Sequence, residues 1–516
     1  MPTRARRPAT YKQMALETAI RNPERYFVIL SALEEFDGVV LNDKNLLSIV
    51  TKLYKEELVD SDGVDLQKSD AEIMERIIEV NTSRNGDGGF PRGYAARFWT
   101  YVRTPSEFGF VYARYNEPFH ISQTVKDVLS GSLAEQEAFA VQAFRGNRRS
   151  PYRNVSNDFN FYNFIFEILK RRQASGHMLS LEQFTLAMFS RDGNVEECIA
   201  EIESHKFNSP EDVYAYLKKT RGVTTKLKTV TRDYPDVVLR MLVIMGMVSI
   251  KYTGVKLIGL NQNKINFFNE LAETTPKLDD DSKEDATLFF RSLNQDTDSL
   301  DAIIKKARTD DTIEGTEYTA KLLKLIEQYS LDQTKLINEM QVLARGTSSL
   351  FKEMSKPLRL EFYTALLVAS VYGDHYEIRP NYKADHEGKP YSHAPGGGGD
   401  IDIFNADTYW LIEVTLIQNR QQQQNSETTT VFRHMTTNTE FADKPQKFLS
   451  FVAPYVHTDT QDFFEHATVK NRSSGINFGS YTIEEFIAVT RNKTNTDDMK
   501  TQTSAIIERF RAELGA

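Results

Sequence analysis

The sequence predicts a multidomain protein: a mainly α N-terminal half built around two helix-plus-hairpin units of winged-helix layout, and an α/β domain at the C-terminus. Three observations carry that prediction. Helical periodicity dominates the first half; twice in that half a helix runs into two short strands; and late in the chain an apolar helix gives way to a series of strands.

Candidate helices fall near 11–36, 67–80, 93–105, 134–144, 157–173, 181–190 and 233–245. In the first unit, Tyr94 to Thr104 leads through Pro105 into Phe108 to Tyr112 and then Phe119 to Ser122. In the second, Tyr234 to Val243 leads into Gly246 to Ile250, a Thr253-Gly254 turn, and Lys256 to Leu260. A helix followed by a β-hairpin is how a winged helix ends, so residues 1–155 and 156–278 read as two such subdomains. The acidic run Asp279 to Asp285 has no apolar residue to bury, and 279–300 reads as a linker, with a capped helix start as the alternative. The last domain, 301–516, shares in a helical stretch over 286–345. It continues with an apolar helix over 357–372 and strands at Tyr376 to Arg379, 400–404, 409–416 and Phe448 to Val456.

Composition bounds the class. With 516 residues, 40% hydrophobic and 26% charged, the chain is an ordinary globular protein with room for two to four cores. The single cysteine, Cys198, excludes an internal disulfide and a cysteine-built zinc site, and favours a reducing cytoplasm. No apolar h-region follows the N-terminal arginines and no run of 18 apolar residues occurs, so neither a signal peptide nor a membrane partner is expected. The net charge of −9 is unevenly spread: residues 218–256 hold nine Lys/Arg against Asp233 and Asp236, and 92–153 hold nine against five acidic residues. Such local positive fields suit a phosphate backbone, although a charged helix face is often merely solvated.

The densest chemistry lies in Pro395-Gly396-Gly397-Gly398-Gly399-Asp400-Ile401-Asp402-Ile403 and the following Tyr409 to Leu416. It reads as a β-hairpin beside a glycine run slim enough for a phosphate backbone to approach. A turn centred between Ala406 and Asp407 puts Asp400 opposite Glu413, with Cβ atoms roughly 4.5–5.5 Å apart. Two carboxylates held that close repel unless something positive lies between them, and Mg²⁺ is the natural candidate. Asp400, Glu413 and the carbonyl of Val414 would hold it; Asp402, one pair nearer the turn, ranks as an outer or surface residue. Glu361 shares a helix face with Leu358, Ala365 and Val368, and so either pairs with Arg359 or Arg433 or points at the metal site. The glutamines 421–424 read as a flexible loop, leading to Glu427 and a helix bearing Arg433-His434.

These residues resemble a known family. Asp400, twelve residues, then Glu413-Val414-Thr415 looks like the PD-(D/E)XK nuclease core. With Leu360-Glu361 before it and Glu427 and Arg433-His434 after it, the text is similar to the AlwI-like type IIS restriction endonucleases, a group that includes PleI/MlyI-type enzymes and BstNBI-type nicking endonucleases. The two helix-hairpin units look like that family's recognition half. The resemblance implies Mg²⁺-dependent cleavage of double-stranded DNA, with Mn²⁺ as a substitute, at a fixed offset from a short asymmetric sequence. It gives Glu361, Asp400, Glu413 and Glu427 catalytic positions, and Asp400, Glu413, Val414 and Glu361 the metal. Thr415 stands where the wider superfamily has a lysine, which leaves Glu427 as first choice to activate water. Arg97, Arg103, Lys218, Lys219, Arg232, Arg240, Lys251, Lys256 and Arg433 are the expected DNA contacts.

Implied partners are double-stranded DNA, a transient homodimer or a second subunit acting through the cleavage domain, and a cognate DNA methyltransferase, all in a prokaryotic cytosol. A strand-specific nickase, a winged-helix DNA-binding regulator with a non-catalytic nuclease-like domain, and a repair or transposition nuclease are the alternatives. The carboxylates argue against the regulator, because a retired site has no physical reason to keep charges that cost stability. The turn-like Gly86-Asp87-Gly88-Gly89 lacks the Lys-Ser/Thr of a phosphate loop, and Asn154-Val155-Ser156 and Asn471-Arg472-Ser473 match a glycosylation pattern by chance.

Overall fold

The computed structural model describes residues 14–491 except 57, 59–63, 84–92, 154, 156, 253, 275–277, 296–301, 306–317, 347–349 and 395–397, and in addition 501, 504–505 and 508–509. Gly86 to Gly89, part of the Asn154 pattern, Thr253 and the first residues of the glycine run lie outside the described residues. The chain divides into two compact units, Met1–Asp310 and Asp311–Ala516.

The first unit is mostly helical. Its helices begin at polar caps that satisfy the first free N–H groups: Asn42 for Asp43–Lys55, Asn160 for Phe161–Ala174, and Ser180, in a capping box with Gln183, for Leu181–Met188. Phe27, Phe108, Phe110 and Phe139 pack ring against ring with centroids 5.1–5.7 Å apart, the centre of the first helix-hairpin unit. There the helix Gly93–Glu107 runs through Pro105, and Val111–Tyr112 pairs antiparallel with His120–Ile121. In the second unit of this layout, the helix Tyr234–Ile244 leads into Val248–Tyr252 and Lys256–Leu260, which pair antiparallel. Leu179–Ser180 adds a third strand on Lys256–Leu260, tying the hairpin to the start of helix Leu181–Met188.

Several expectations need correction. The 11–36 helix is shorter, Glu24–Leu33, with Pro23 at its N-cap. Helices Val195–Ser204 and Pro210–Arg221 escaped the pattern because each buries only two residues, Cys198 with Ile202 and Val213 with Leu217, on otherwise polar surfaces. The acidic run takes the alternative reading, a capped helix start, rather than that of a linker. Asp279 caps a short helix, Asp280–Glu284, and Asp285 caps another, Ala286–Leu293. Phe289 and Leu293 of the latter are fully buried, Arg145 donates to the Leu293 carbonyl at 2.8 Å, and Phe290 lies 5.9 Å from Tyr112. Gly109, at φ +66°, must be glycine, since a Cβ there would sit 2.7 Å from that of Leu293.

The second unit holds a five-stranded mixed sheet in the order Ile476–Thr482, Gln446–Ala453, Thr408–Val414, Ile401–Phe404, Glu377–Pro380. The first three strands run parallel and the last two are antiparallel additions. Every residue of Thr408–Val414 is buried. Its Tyr409 and Leu411 join a core with Val431, Met435, Phe441, Phe451 and Phe464 on one face. Trp410 meets Tyr372 and Phe486 on the other. A strand covered on both faces explains its continuous apolar run. Strand Ile476–Thr482 was not expected, because Asn477, Gly479 and Ser480 dilute its alternation of buried residues.

If 286–293 is integral to the first unit, Phe289→Ala will lower that unit's stability by about 3–5 kcal/mol. Urea unfolding read alongside limited proteolysis checks this; an unchanged midpoint would restore the linker reading.

Candidate active site

The hairpin register matches the expectation. Pairs Tyr409↔Phe404, Trp410↔Ile403, Leu411↔Asp402 and Ile412↔Ile401 put Asp400 next in line opposite Glu413. Asp400 Oδ2 accepts from the Val414 N–H at 2.8 Å, which fixes the carboxylate beside the strand end. Gly399 is buried just before it, where a Cβ would lie 2.3 Å from Leu411 Cδ1 and 2.8 Å from Glu413 Oε1. No larger residue fits without displacing Glu413.

Helix Lys356–Tyr372, capped by Ser355, carries Glu361 into the same neighbourhood. Glu361 is buried, and neither arginine partner is used: Oε1 pairs with His393 Nδ1, while buried Oε2 has no hydrogen-bond partner. Arg359 instead donates to the carbonyls of Ser355 and Leu350 at 3.4 Å, and Arg433 is exposed on helix Thr428–Thr437. Its neighbour His434, the other residue of the Arg433-His434 pair noted in the sequence, does reach the site, with Nδ1 2.8 Å from Glu413 Oε1. His434 Nε2 is buried without a partner.

Glu427 ends a π-helical turn, Gln423–Glu427, immediately before that helix. The glutamine stretch is therefore folded rather than a flexible loop. Gln423 is fully buried and donates to the carbonyls of Ile417 and Tyr455. Glu427 is half-buried, with the His434 imidazole as its titratable neighbour.

Electrostatics follow from this crowding. Burial, then the charges of Glu413 and Glu361, push the Asp400 carboxyl well above its usual range, against the Val414 N–H and His393. Burial, then Glu427, Glu361 and Asp402, do the same to Glu413. Burial raises Glu427, while burial and then Arg433 lower His434, favouring the neutral imidazole. Among the described residues no three His, Cys, Asp or Glu side chains already converge as a finished metal cage. The donor set nevertheless suits a hard divalent cation: hard oxygen ligands, mutual repulsion that a cation would relieve, and an unused oxygen on Glu361.

Asp402 is not a surface residue. It is buried and accepts from Arg379 Nη2 at 2.8 Å, Asn381 Nδ2 at 3.0 Å and the Tyr409 hydroxyl at 2.8 Å. Thr415, in the superfamily's lysine position, closes a turn: its N–H donates to Val452 and its hydroxyl accepts from the Ile417 N–H. His393 and Asn381 were not singled out from sequence, although His393 lies only seven residues before Asp400; His434 was noted beside Arg433 but given no role.

The expected DNA contacts divide into exposed and engaged groups. Lys218 and Lys219 are exposed on the last turn of Pro210–Arg221, and Arg232 is exposed just before helix Tyr234–Ile244. Lys251 and Lys256 are half-exposed on the second hairpin, with Lys256 5.9 Å from the Tyr252 ring centre. Arg97 donates to the Tyr54 hydroxyl at 3.2 Å. Arg103 pairs with Glu17 at 3.2 Å and Arg240 with Asp236 at 3.3 Å, so both are held in internal ion pairs.

Raised carboxyl pKa values make the metal-free site a stability liability with a defined sign. The folded protein keeps protons on Asp400 and Glu413 that the unfolded chain has released, so their favourable contribution is lost as pH rises from about 4 through the folded values. Without metal, Asp400→Asn will melt above the wild type at about pH 8, and the gap will close toward about pH 4. Mg²⁺ will raise the wild-type melting temperature more than the variant's. A variant less stable at the higher pH would refute the crowding.

The family model described as AlwI restriction endonuclease matches residues 106–296 and 291–489. No curated protein matches. Among solved structures, the small subunit R.BspD6I2 of the heterodimeric restriction endonuclease R.BspD6I aligns at 17% identity over 34% of this chain and 98% of its own, TM-score 0.24. The BpuJ1 endonuclease binding domain, in complex with pyrene- and phenanthrene-modified DNA, aligns at 13% over 53% and 90%, TM-score 0.31. Restriction endonuclease FokI aligns at 12% over 95% and 97%, TM-score 0.25. Scores this low carry no conclusion about the fold. The family match spans both units and takes in every acidic residue gathered at the hairpin end, and on it the chain belongs to the AlwI restriction endonuclease family and is a site-specific deoxyribonuclease.

Proposed function

We propose that this protein is a type IIS enzyme that hydrolyses double-stranded DNA with Mg²⁺ at a fixed distance from a short asymmetric sequence. The observation that carries the reading is the crowding of Asp400, Glu413 and Glu361 at the end of a glycine-flanked hairpin. Asp400, Glu413, the Val414 carbonyl and Glu361 would hold Mg²⁺ or, in its place, Mn²⁺. The ion, when bound, would polarise the scissile phosphate and make water acidic enough to attack it.

The chain's own groups would do the rest. The Val414 N–H holds Asp400 in place, and Gly399, lacking a Cβ, leaves room for the Leu411 and Glu413 side chains beside it. With Glu413 ionised, His434 Nδ1 carries the proton of their hydrogen bond, which leaves Nε2 as an acceptor. Glu427, with His434 beside it, would take the attacking water's proton in place of the lysine that Thr415 replaces.

Recognition belongs to the N-terminal half, as subdomains 1–155 and 156–278, with cleavage in 301–516. The three-stranded sheet of Leu179–Ser180, Val248–Tyr252 and Lys256–Leu260, behind helix Tyr234–Ile244, supports a winged helix in the second subdomain. Exposed Lys218, Lys219 and Arg232, with Lys251 and Lys256 on the hairpin, form its positive face toward phosphates. Among the described residues no helix is long and apolar enough to cross a membrane. A second catalytic domain, from a transient homodimer or another subunit, would be needed to cut both strands, and a cognate methyltransferase to protect the host; a nicking enzyme is the variant in which the second domain is never recruited.

Plasmid of known sequence, incubated with and without Mg²⁺, tests this directly. The expected result is discrete ends at a constant offset, abolished by Asp400→Ala and by Glu413→Ala, with DNA binding retained. Nicked circles alone would select the nickase. Intact plasmid that still shifts on a gel would leave only a DNA-binding protein.

A further inference from the structure

We propose that Asn381 is the positioning residue that sets Asp400 for metal binding, and that buried Asp402 is the anchor of Asn381 rather than a metal ligand; this rests on the proposed metal-dependent site. Asn381 follows the edge strand Glu377–Pro380 and grips the segment that carries Asp400 from both ends of its own structure. Its backbone N–H donates to the Asp400 carbonyl at 2.8 Å, and its side-chain Nδ2 donates to the Gly399 carbonyl at 2.8 Å. Asp400 lies just beyond the last ladder pair, Ile412↔Ile401, so the sheet itself does not fix it. The Asn381 clamp and the Val414 N–H act in place of that ladder, one on the backbone and one on the carboxylate.

What holds Asn381 in turn is Asp402, which accepts the same Nδ2 at 3.0 Å. Asp402 is 3% exposed, and Asn381, Arg379 and Tyr409 supply donors to its two oxygens. A carboxylate so fully engaged has little left to offer an ion, in contrast to Glu361 with its unused Oε2. The network then extends to the other side of the site. Asn438, directly after helix Thr428–Thr437, donates to the Tyr409 hydroxyl at 3.1 Å. Arg379 also grips Glu440 through both terminal nitrogens and lies over the Phe404 and Phe441 rings. One buried carboxylate therefore ties the Asp400 segment to the far end of the helix that presents His434. Hydrogen-bond partners standing behind metal ligands commonly govern affinity for the ion about 10–100-fold.

The test is Asn381→Ala and the isosteric Asn381→Asp in the full chain, read by calorimetric titration with Mn²⁺ and by the Mg²⁺ dependence of plasmid cleavage. The half-saturating Mn²⁺ concentration is expected to rise about tenfold or more in both variants. Cleavage should recover in Asn381→Ala at high Mg²⁺, with an unchanged KM for DNA and a thermal unfolding transition that stays cooperative. Asp402→Asn, which weakens the anchor but leaves Asp400 intact, should shift the metal dependence in the same direction without abolishing cleavage. Wild-type Mn²⁺ affinity in the Asn381 variants would overturn the proposal while leaving the nuclease reading intact. Abolition of Mn²⁺ binding by Asp402→Asn as complete as that by Asp400→Asn would overturn it too, because Asp402 would then be a ligand. A wild-type protein that neither binds Mn²⁺ nor cleaves would instead remove the functional reading itself.

Discussion

The enforced closeness of Asp400 and Glu413 is the constraint on which the C-terminal unit depends. Antiparallel pairing of Ile401–Phe404 with Thr408–Val414 brings two acidic side chains to one end of a hairpin in a buried setting. Burial and like charge both oppose ionisation there, and among the described residues Glu361, Asp400 and Glu413 are met by one N–H and two histidines, with no arginine hydrogen-bonded to them. Such an arrangement is costly unless a cation completes it. The surrounding choices follow from keeping it: glycine at 399, the apolar flanks of the central strand, and the capped helix that brings Glu361.

Two tiers of carboxylate are distinguished by what they touch. Asp402 is surrounded by donors and behaves as a structural anion, locked to Arg379, Asn381 and Tyr409. Asp400, Glu413 and Glu361 face one another and retain unsatisfied demand. Sequence position does not separate these tiers, since Asp400 and Asp402 share a strand face two residues apart. Only the partners contributed by a distant edge strand do.

Much of this was legible in the chain before any coordinates. The hairpin register could be read because alternation and a central turn leave one pairing that keeps Ile401, Ile403, Leu411 and Ile412 in the core. Helix Lys356–Tyr372 could be read because its apolar content is nearly continuous. What escaped was set by long-range packing. Helices anchored by two apolar residues leave too weak a period, as in Val195–Ser204. The acidic run over 279–285 looks unfit for a core until Phe289 and Leu293 behind it are seen buried. His393 and His434 carry no local signal separating them from structural histidines, because their role depends on which acid the fold brings opposite.

On this reading a divalent ion binds between Asp400 and Glu413. A crystal of the protein with DNA and Mn²⁺, measured at the manganese absorption edge, would locate the ion. The expected result is an anomalous peak within coordination distance of a carboxylate oxygen of each residue, with the Val414 carbonyl beside it. A DNA complex with no peak there, or with manganese bound only at other acidic residues, would contradict it.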